Sequence, residues 1–154
     1  MNRSNRKLIG VDIGKVTLSI AVGEKTESGD CKIISTSSER HSGKPLKRFM
    51  DRYKTFDHSD ILGIAATGIY SDRLKSPVIA GIPEEIAQEY ATRKMFPGKE
   101  PLNIFRLGGR GYSILTRDAE GRFQREENDK CSAGTGETIE RICGRMGVSL
   151  QEAM

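Results

Sequence analysis

The feature that most constrains the fold is a pair of short apolar segments joined by a glycine turn near the start of the chain. Leu8–Ile13 is an apolar run, Gly14-Lys15 makes a turn, and Val16–Val22 alternates apolar with polar residues. Strand-like segments on both sides of a tight turn predict a β-hairpin. The fold is therefore expected to begin with two antiparallel strands.

The rest of the chain predicts a mixture of strands and helices. In chain order the predicted elements are a strand at Cys31–Thr36, a helix at Pro45–Tyr53, a strand at Ile61–Ala66, a helix from Pro83 to about Met95, a strand at Asn103–Leu107, a hairpin of Gly111–Arg117 with Arg122–Glu126, and a helix from near Ser132 to Gly147. Ser149 is expected to start a further helix that the chain leaves unfinished, as a fragment of a longer protein would.

Composition narrows the class of protein. Hydrophobic residues make up 36% of the 154 residues and charged residues 30%, which predicts a globular chain, with no segment long and apolar enough to span a membrane. The net charge of +4 comes from 25 basic and 21 acidic residues spread along the sequence, so no nucleic-acid partner is predicted. Three widely spaced cysteines predict no disulfide framework and fit a reducing cytoplasm.

The first candidate site is the segment Gly10–Thr17 at the hairpin turn. Glycine at the tip, Gly14, lets backbone N–H groups approach a phosphate, and the ammonium of Lys15 and the hydroxyl of Thr17 are further donors. Asp12, on the first strand, can hold Mg²⁺ through water. An ordinary hairpin with a glycine turn would show the same pattern, so both interpretations stay open here.

The second candidate site is the segment Asn128–Glu137. Cys131 comes just before a predicted helix, where N–H groups and the helix dipole favour a thiolate that can bind iron. A single cysteine cannot hold a cubane cluster, which needs four thiolates. Among the remaining candidate ligands, Cys31 and Cys143 are predicted to be core thiols, and His41 and His58, in polar loops, are assigned no role.

Four segments together resemble a known family. They are Gly10–Thr17, Ala66-Thr67-Gly68, the turn Gly108-Gly109, and Asn128–Gly136 with its Asn-Asp-Lys-Cys and Ala-Gly-Thr-Gly runs. The sequence resembles the ATP-hydrolysing activators of 2-hydroxyacyl-CoA dehydratases and of benzoyl-CoA reductases, in the actin, sugar-kinase and Hsp70 superfamily. The resemblance covers nearly the whole chain.

The resemblance implies a fold and a function. The expected fold is α/β, a ribonuclease H-like, actin-type ATPase domain with an N-terminal hairpin and flanking helices, plus the start of a second similar domain. Residues 1–100 would form the first subdomain and residues 101–154 a partial second one. The implied cofactors are ATP, Mg²⁺ and a [4Fe–4S] cluster held between the two subunits of a homodimer. The implied partner is a dehydratase or reductase that receives a low-potential electron.

The resemblance also implies roles for individual residues. Cys131 would be one cluster ligand, and the phosphate site would be lined by a set of residues from both motifs. That set is Asp12, in a catalytic role, with Gly14, Thr17, Gly108 and Gly109. Lys15, which stands with Val16 where the family usually has a pair of hydroxyl residues, is predicted to bind the phosphate through its ammonium.

The sequence departs from the family at the second phosphate motif. The segment Arg106-Leu107-Gly108-Gly109-Arg110-Gly111 lacks the carboxylates that the family carries at two positions, and it contains two arginines. Arginine cannot hold a metal ion. Two alternatives therefore stay open beside the ATP-driven activator. One is a relative that binds nucleotide or a partner without hydrolysis, and the other is a small-molecule kinase of the same superfamily.

Overall fold

The structure, a computed structural model, describes residues 6–74, 79–108, 111–128 and 136–153. The chain separates into two compact units, Met1–Ala87 and Gln88–Met154. The boundary between the units falls within a helix, Glu84–Met95. The predicted division into residues 1–100 and 101–154 stays a prediction.

The first unit contains a five-stranded sheet in the order β3-β2-β1-β4-β5. Its strands are β1 (Lys7–Ile13), β2 (Thr17–Lys25), β3 (Cys31–Arg40), β4 (Ile61–Thr67) and β5 (Ile79–Gly81), with helix α1 (Pro45–Tyr53) between β3 and β4 and helix α2 (Glu84–Met95) after β5. β1 pairs antiparallel with β2, which pairs antiparallel with β3, while β1 with β4 and β4 with β5 are parallel pairs. The predicted hairpin and the order of three strands and then a helix are confirmed.

One face of this sheet forms the core, because successive side chains of a strand point to opposite faces. Ile9, Val11 and Ile13 of β1 are buried there, together with apolar residues of β2 and β4. Phe49, on the helix α1, is 1% exposed and belongs to the same cluster. Burial of these side chains therefore fixes the register in which β1 pairs with β2.

The opposite face of the sheet carries small and polar residues. Four of them lie side by side across neighbouring strands, namely Ala21, Gly10, Ala65 and Ala80. Two residues further along β1, Asp12 lies on this face between Ser19 of β2 and Thr67 of β4. On this face, small residues surround the middle of β1, and the oxygen atoms of Asp12, Ser19 and Thr67 lie at its carboxyl end.

The second unit contains a three-stranded antiparallel sheet in the order β6-β7-β8. Its strands are β6 (Leu102–Gly108), β7 (Gly111–Arg117) and β8 (Phe123–Asn128), followed by helix α3 (Gly136–Met146). The predicted strand and hairpin are thus confirmed, whereas the predicted helix start near Ser132 lies outside the described residues. Arg117, 2% exposed, donates to the carbonyls of Phe96 (3.1 Å) and Lys99 (3.2 Å), and so fixes the loop before β6.

The chain after α3 follows standard capping geometry. Gly147 has φ of 69°, and the amides of Gly147 and Val148 donate to the carbonyls of Gly144 (3.3 Å) and Cys143 (3.0 Å), which ends the helix as predicted. Ser149 and Glu152 then form a capping box, in which Ser149 N–H donates to Glu152 Oε2 (2.8 Å) and Glu152 N–H to Ser149 Oγ (3.2 Å). Ser149 and Glu152 therefore make the hydrogen bonds that are typical of the N-terminus of a helix.

The two cysteines that the structure describes differ in exposure. Cys143 is buried on α3, as predicted. The prediction that Cys31 is a core thiol is wrong, because β3 is the edge strand of its sheet and Cys31 is exposed there. Within the described ranges, no helix combines the length and apolar character that crossing a membrane requires.

Candidate functional site

The β1–β2 turn has an unusual backbone for a tight hairpin. Gly14 N–H donates to the Thr17 carbonyl (2.9 Å), and the buried pair Ile13 and Leu18 fixes the strands on either side. Short hairpin turns normally use residues with positive φ, but none of residues 14–17 has one. The turn therefore depends on contacts from outside itself to keep its shape.

The side chains at this tip suit a negatively charged ligand. Lys15 and Thr17 are exposed and present an ammonium and a hydroxyl, while Gly14 and Val16 are partly exposed. Backbone N–H groups around a small concave turn attract anions, and an exposed cation beside them adds to the attraction. The arrangement agrees with the phosphate-binding role predicted for Gly14, Lys15 and Thr17, which stays a prediction.

Gly68, in the segment after β4, leaves room for the carboxylate of Asp12 at the carboxyl end of β1. Gly68 has φ of 91°, and a Cβ atom there would collide with Asp12 Oδ1 and lie 2.6 Å from the Ile13 carbonyl oxygen. Tyr70 N–H donates to the same Ile13 carbonyl (3.3 Å). Gly68 is therefore required both for its backbone conformation and for the room that it leaves around the carboxylate.

The oxygen atoms around Asp12 form a suitable environment for a hard cation. Thr67, next to Asp12 in the parallel register, has a buried hydroxyl oxygen with no hydrogen-bond partner among the described residues. Because β1 and β4 run parallel, their carboxyl ends meet at one edge of the sheet, the usual place for ligands in α/β folds. One carboxylate and a hydroxyl fit Mg²⁺, which keeps several water ligands and takes the rest from phosphate.

His41 is a candidate that the sequence analysis missed. It is 4% exposed, its Nε2 lies 3.0 Å from the Gly14 carbonyl oxygen, and its N–H donates to the Val16 carbonyl (3.1 Å). Its ring meets that of Tyr70 edge-on, with centroids 5.9 Å apart. The sequence analysis assigned His41 no role, but the structure places this residue in contact with the candidate phosphate turn through two hydrogen bonds.

No pattern in the sequence signals the position of His41. It lies 27 residues from Gly14, and only the fold brings the end of β3 to the hairpin tip. The nearest local signal is Ser42-Gly43, a turn pair directly after it. His58, by contrast, lies against the ring of Tyr53 with centroids 4.5 Å apart, and no site residue contacts it within the described residues.

The remaining predicted site residues belong to the second unit, and some of them lie outside the described residues. Gly108 ends β6 in the other unit and pairs with Gly111, and Arg106 lies on the same strand. Gly109 and Cys131 lie outside the described residues. The parts of the chain that the structure describes contain no group of three or more His, Cys, Asp or Glu side chains that could hold a metal ion. The roles of Gly108, Gly109 and Cys131 stay predictions.

Comparison with known proteins gives similarity in structure but not in sequence. No protein-family model matches the chain, and no curated protein matches it. The activator of the 2-hydroxyisocaproyl-CoA dehydratase from Clostridium difficile, solved with bound ADPNP, superposes with a TM-score of 0.74 at 22% identity, covering 95% of this chain and 54% of that one. The (R)-2-hydroxyglutaryl-CoA dehydratase component A of Acidaminococcus fermentans superposes with a TM-score of 0.74 at 17% identity, covering 96% and 56%.

A third similarity extends beyond these activators. An exopolyphosphatase from Cytophaga hutchinsonii superposes with a TM-score of 0.60 at 12% identity, covering 89% of this chain and 53% of that one. The chain thus spans about half the length of the structures that it matches. At these identities the comparisons establish the fold alone: the predicted ribonuclease H-like, actin-type α/β fold is confirmed.

Proposed function

We propose that this chain binds a nucleoside triphosphate, with the phosphates at the turn Gly14–Thr17 and Mg²⁺ beside Asp12. The observation that carries the proposal is the carboxylate of Asp12 at the carboxyl edge of β1 and β4, next to a hairpin tip that bears Lys15 and Thr17. The ADPNP in the name of the similar Clostridium difficile structure supports a nucleotide as the ligand. ATP is the nucleotide we expect.

The chemical roles follow from the residues present. Backbone N–H groups of the turn and the Lys15 ammonium would neutralise phosphate oxygens, while the carboxylate of Asp12 would hold the metal ion through its water ligands. Bound Mg²⁺ would supply charge neutralisation and orientation of the phosphates. Gly108 and Gly109 are the second phosphate turn in this proposal, as the family resemblance implies.

We further propose that the protein is an ATP-dependent activator of a 2-hydroxyacyl-CoA dehydratase or a related reductase. Both similar structures with the higher TM-score are named as dehydratase activators or components. In this proposal Cys131 is one ligand of a [4Fe–4S] cluster that passes a low-potential electron to the partner. In a homodimer in the reducing cytoplasm, two copies of Cys131 would supply two of the four thiolates that the cluster needs, and the other two ligands are not assigned.

A second candidate function is nucleotide binding without hydrolysis, and one specific observation favours it. The strand β6 carries Arg106 two residues before Gly108, where the family has a carboxylate. A guanidinium binds phosphate but cannot organise Mg²⁺ or accept a proton from an attacking water. A relative of this kind would sense a nucleotide or bind a partner.

One experiment tests nucleotide binding and separates these two functions. Isothermal titration with Mg·ADPNP measures affinity, and release of phosphate from Mg·ATP measures turnover under the same conditions. Binding with turnover supports the activator, and binding without turnover supports the non-hydrolysing relative. If the analogue does not bind at millimolar concentration, both proposals are contradicted.

A second experiment tests the cluster. The chain is reconstituted anaerobically with iron and sulfide, and visible and EPR spectra are recorded for wild type, Cys131→Ala and the control Cys31→Ala. Cys31 is an exposed thiol, so its removal controls for adventitious iron binding. A cluster signal in a dimer that is lost only in Cys131→Ala supports the activator. A signal that is absent, or independent of Cys131, contradicts the cluster assignment.

A further inference from the structure

We infer that His41 is a positioning residue that turns the amides of Lys15 and Thr17 toward the phosphate ligand. The inference rests on the proposed phosphate site and adds a residue outside the hairpin to it. His41 follows β3, whose last residue, Arg40, pairs with Thr17. It therefore reaches the turn from the neighbouring strand.

His41 donates hydrogen bonds to two carbonyl groups of the turn. A carbonyl oxygen can only accept, so the contact of 3.0 Å to the Gly14 oxygen requires the proton on His41 Nε2. The backbone N–H of His41 donates to the Val16 carbonyl at 3.1 Å. One residue thus holds the oxygen atoms of both peptide groups that flank the tip, Gly14–Lys15 and Val16–Thr17.

The orientation of the two amides follows from peptide geometry. In a trans peptide group the C=O and N–H bonds point in opposite directions, and the peptide bonds at residues 14–17 are trans, since the described cis bond is Glu100–Pro101. Because the Gly14 and Val16 oxygens face His41, the N–H groups of Lys15 and Thr17 face away from it. Two backbone N–H groups that face away from His41, beside the exposed Lys15 ammonium, are suited to bind an anion.

The hydrogen bond to Gly14 also prevents the turn from closing on itself. In a hydrogen-bonded four-residue turn the Gly14 carbonyl would accept from Thr17 N–H. Here the described contact to that carbonyl comes from the His41 ring, and the hairpin lacks the positive φ values that would normally shape it. His41 therefore takes the acceptor with which Thr17 N–H would otherwise bond.

The backbone around His41 is held in a costly conformation. Ser42 has φ of 48° and Gly43 has φ of 77°, and Lys44 N–H donates to the His41 carbonyl (2.8 Å) to close a turn. A residue other than glycine is strained in this left-handed backbone conformation. Such strain persists where the surroundings require it, and it is commoner at functional positions. Its place directly after His41 is consistent with a positioning role.

A role in packing alone does not explain this histidine. Its Nδ1 is buried with no hydrogen-bond partner among the described residues, which is unfavourable for a ring that merely fills space. An aromatic hydrocarbon ring would pack against Tyr70 without that penalty. The group that histidine adds is the donor at Nε2, and this donor contacts the phosphate turn.

The test compares His41→Gln with His41→Asn. The glutamine amide nitrogen reaches about as far as Nε2, whereas that of asparagine reaches only the position of Nδ1. We expect His41→Asn to bind Mg·ADPNP about tenfold more weakly and His41→Gln to stay within about threefold of wild type. In ligand-free spectra of ¹⁵N-labelled protein, the amide signals of Lys15 and Thr17 should shift in His41→Asn and stay near their wild-type positions in His41→Gln.

Several outcomes would overturn the inference. Unchanged affinity in His41→Asn, or an equal loss in both variants, would show that the Nε2 donor does not position the turn. If His41→Asn fails to fold, His41→Gln decides alone: near-wild-type affinity and amide signals support the inference, and loss of either overturns it. If the wild type does not bind the analogue, the proposed function fails, while the ligand-free amide signals still test the action of His41 on the turn.

Discussion

Two hairpin turns of this molecule differ in where the hydrogen-bond partners of their backbone groups come from. In the β7–β8 turn, Asp118 Oδ1 accepts from the amides of Glu120 (3.1 Å) and Arg122 (2.8 Å), and Gly121 N–H donates to the Asp118 carbonyl (3.0 Å). Asp118 N–H donates in turn to the Arg122 carbonyl (3.0 Å). These bonds lie within the turn, as expected of a turn that connects two strands, and one carbonyl, that of Gly121, accepts from Arg93 outside it (3.2 Å).

The β1–β2 turn makes one such internal bond, from Gly14 N–H to the Thr17 carbonyl. Two of its other carbonyl groups accept from His41, outside the hairpin. The amides of Glu120, Gly121 and Arg122 already donate to Asp118, so the β7–β8 turn offers fewer amides to a ligand than the β1–β2 turn does in the proposed site. The difference is one reason why Gly14–Thr17 is proposed as the binding turn, with Asp118–Arg122 as the turn for comparison.

The largest expected effect on ligand binding compares Asp12, on β1 before the binding turn, with Asp118 in the connecting turn. Asp12→Asn should weaken binding of Mg·ADPNP about 100-fold, since the amide cannot replace a carboxylate near the metal ion, a loss of ~2.7 kcal/mol. Asp118→Asn, the matched control in the other turn, should leave the affinity unchanged. Titration calorimetry of both variants checks this. Equal affinities for Asp12→Asn and wild type would remove Asp12 from the site.

The next effect compares two glycines with positive φ. Gly68→Ala should lower the free energy of unfolding by about 3 kcal/mol, because backbone strain adds to the collision of the new Cβ with Asp12 Oδ1 and the Ile13 carbonyl. Gly121 has φ of 78°, but no atom lies within 4 Å of a Cβ added there. Gly121→Ala should therefore lower the free energy of unfolding by only about 1 kcal/mol. Chemical denaturation measures both, and equal losses would show that crowding at Gly68 is unimportant.

A smaller effect concerns the exposed cation at the binding turn. Lys15→Met should weaken Mg·ADPNP binding about fivefold in dilute buffer, and the difference from wild type should shrink as salt is added, because solvent-exposed charges are screened. Arg122→Met serves as the control in the connecting turn and should not affect binding. An undiminished difference at high salt would argue that Lys15 acts through packing and not through its charge.

The smallest effect is a dependence on pH in the connecting turn. The hydrogen bond from Arg122 holds the pKa of Asp118 below its usual 3.8. A carboxyl whose pKa is lowered on folding stabilises the fold above its unfolded pKa, and this contribution is lost as the pH falls through the folded value. Asp118→Asn should therefore lower the Tm slightly at pH 7 and not at all well below pH 3.8. A difference in Tm that persists in strong acid would contradict this origin.

The parts of the fold and site that the sequence predicts are those encoded locally. The hairpin follows from strand patterns around Gly14, and α1 follows from Pro45 and the apolar spacing that places Phe49 in the core. Asp12 and Thr17 could be placed near Gly14 because they belong to the same short segment. Local periodicity and turn chemistry are sufficient for these elements.

The missed features depend on which strands become neighbours. His41 reaches Gly14 only because β3 pairs with β2, and nothing in its own segment reports that pairing. Cys31 was expected in the core because β3 contains apolar residues, but β3 lies at the sheet edge and exposes Ile33 and Ile34 as well. The place of a strand within a sheet is a property of the whole topology, so a single sequence does not reveal it.

The central claim is that the turn Gly14–Thr17 is the phosphate-binding turn. It is tested most directly by following backbone amide signals of ¹⁵N-labelled protein during titration with Mg·ADPNP. We expect saturable shifts at Lys15 and Thr17 and no shifts across Asp118–Arg122. Saturable binding that leaves Lys15 and Thr17 unchanged, or that shifts both turns equally, would contradict it.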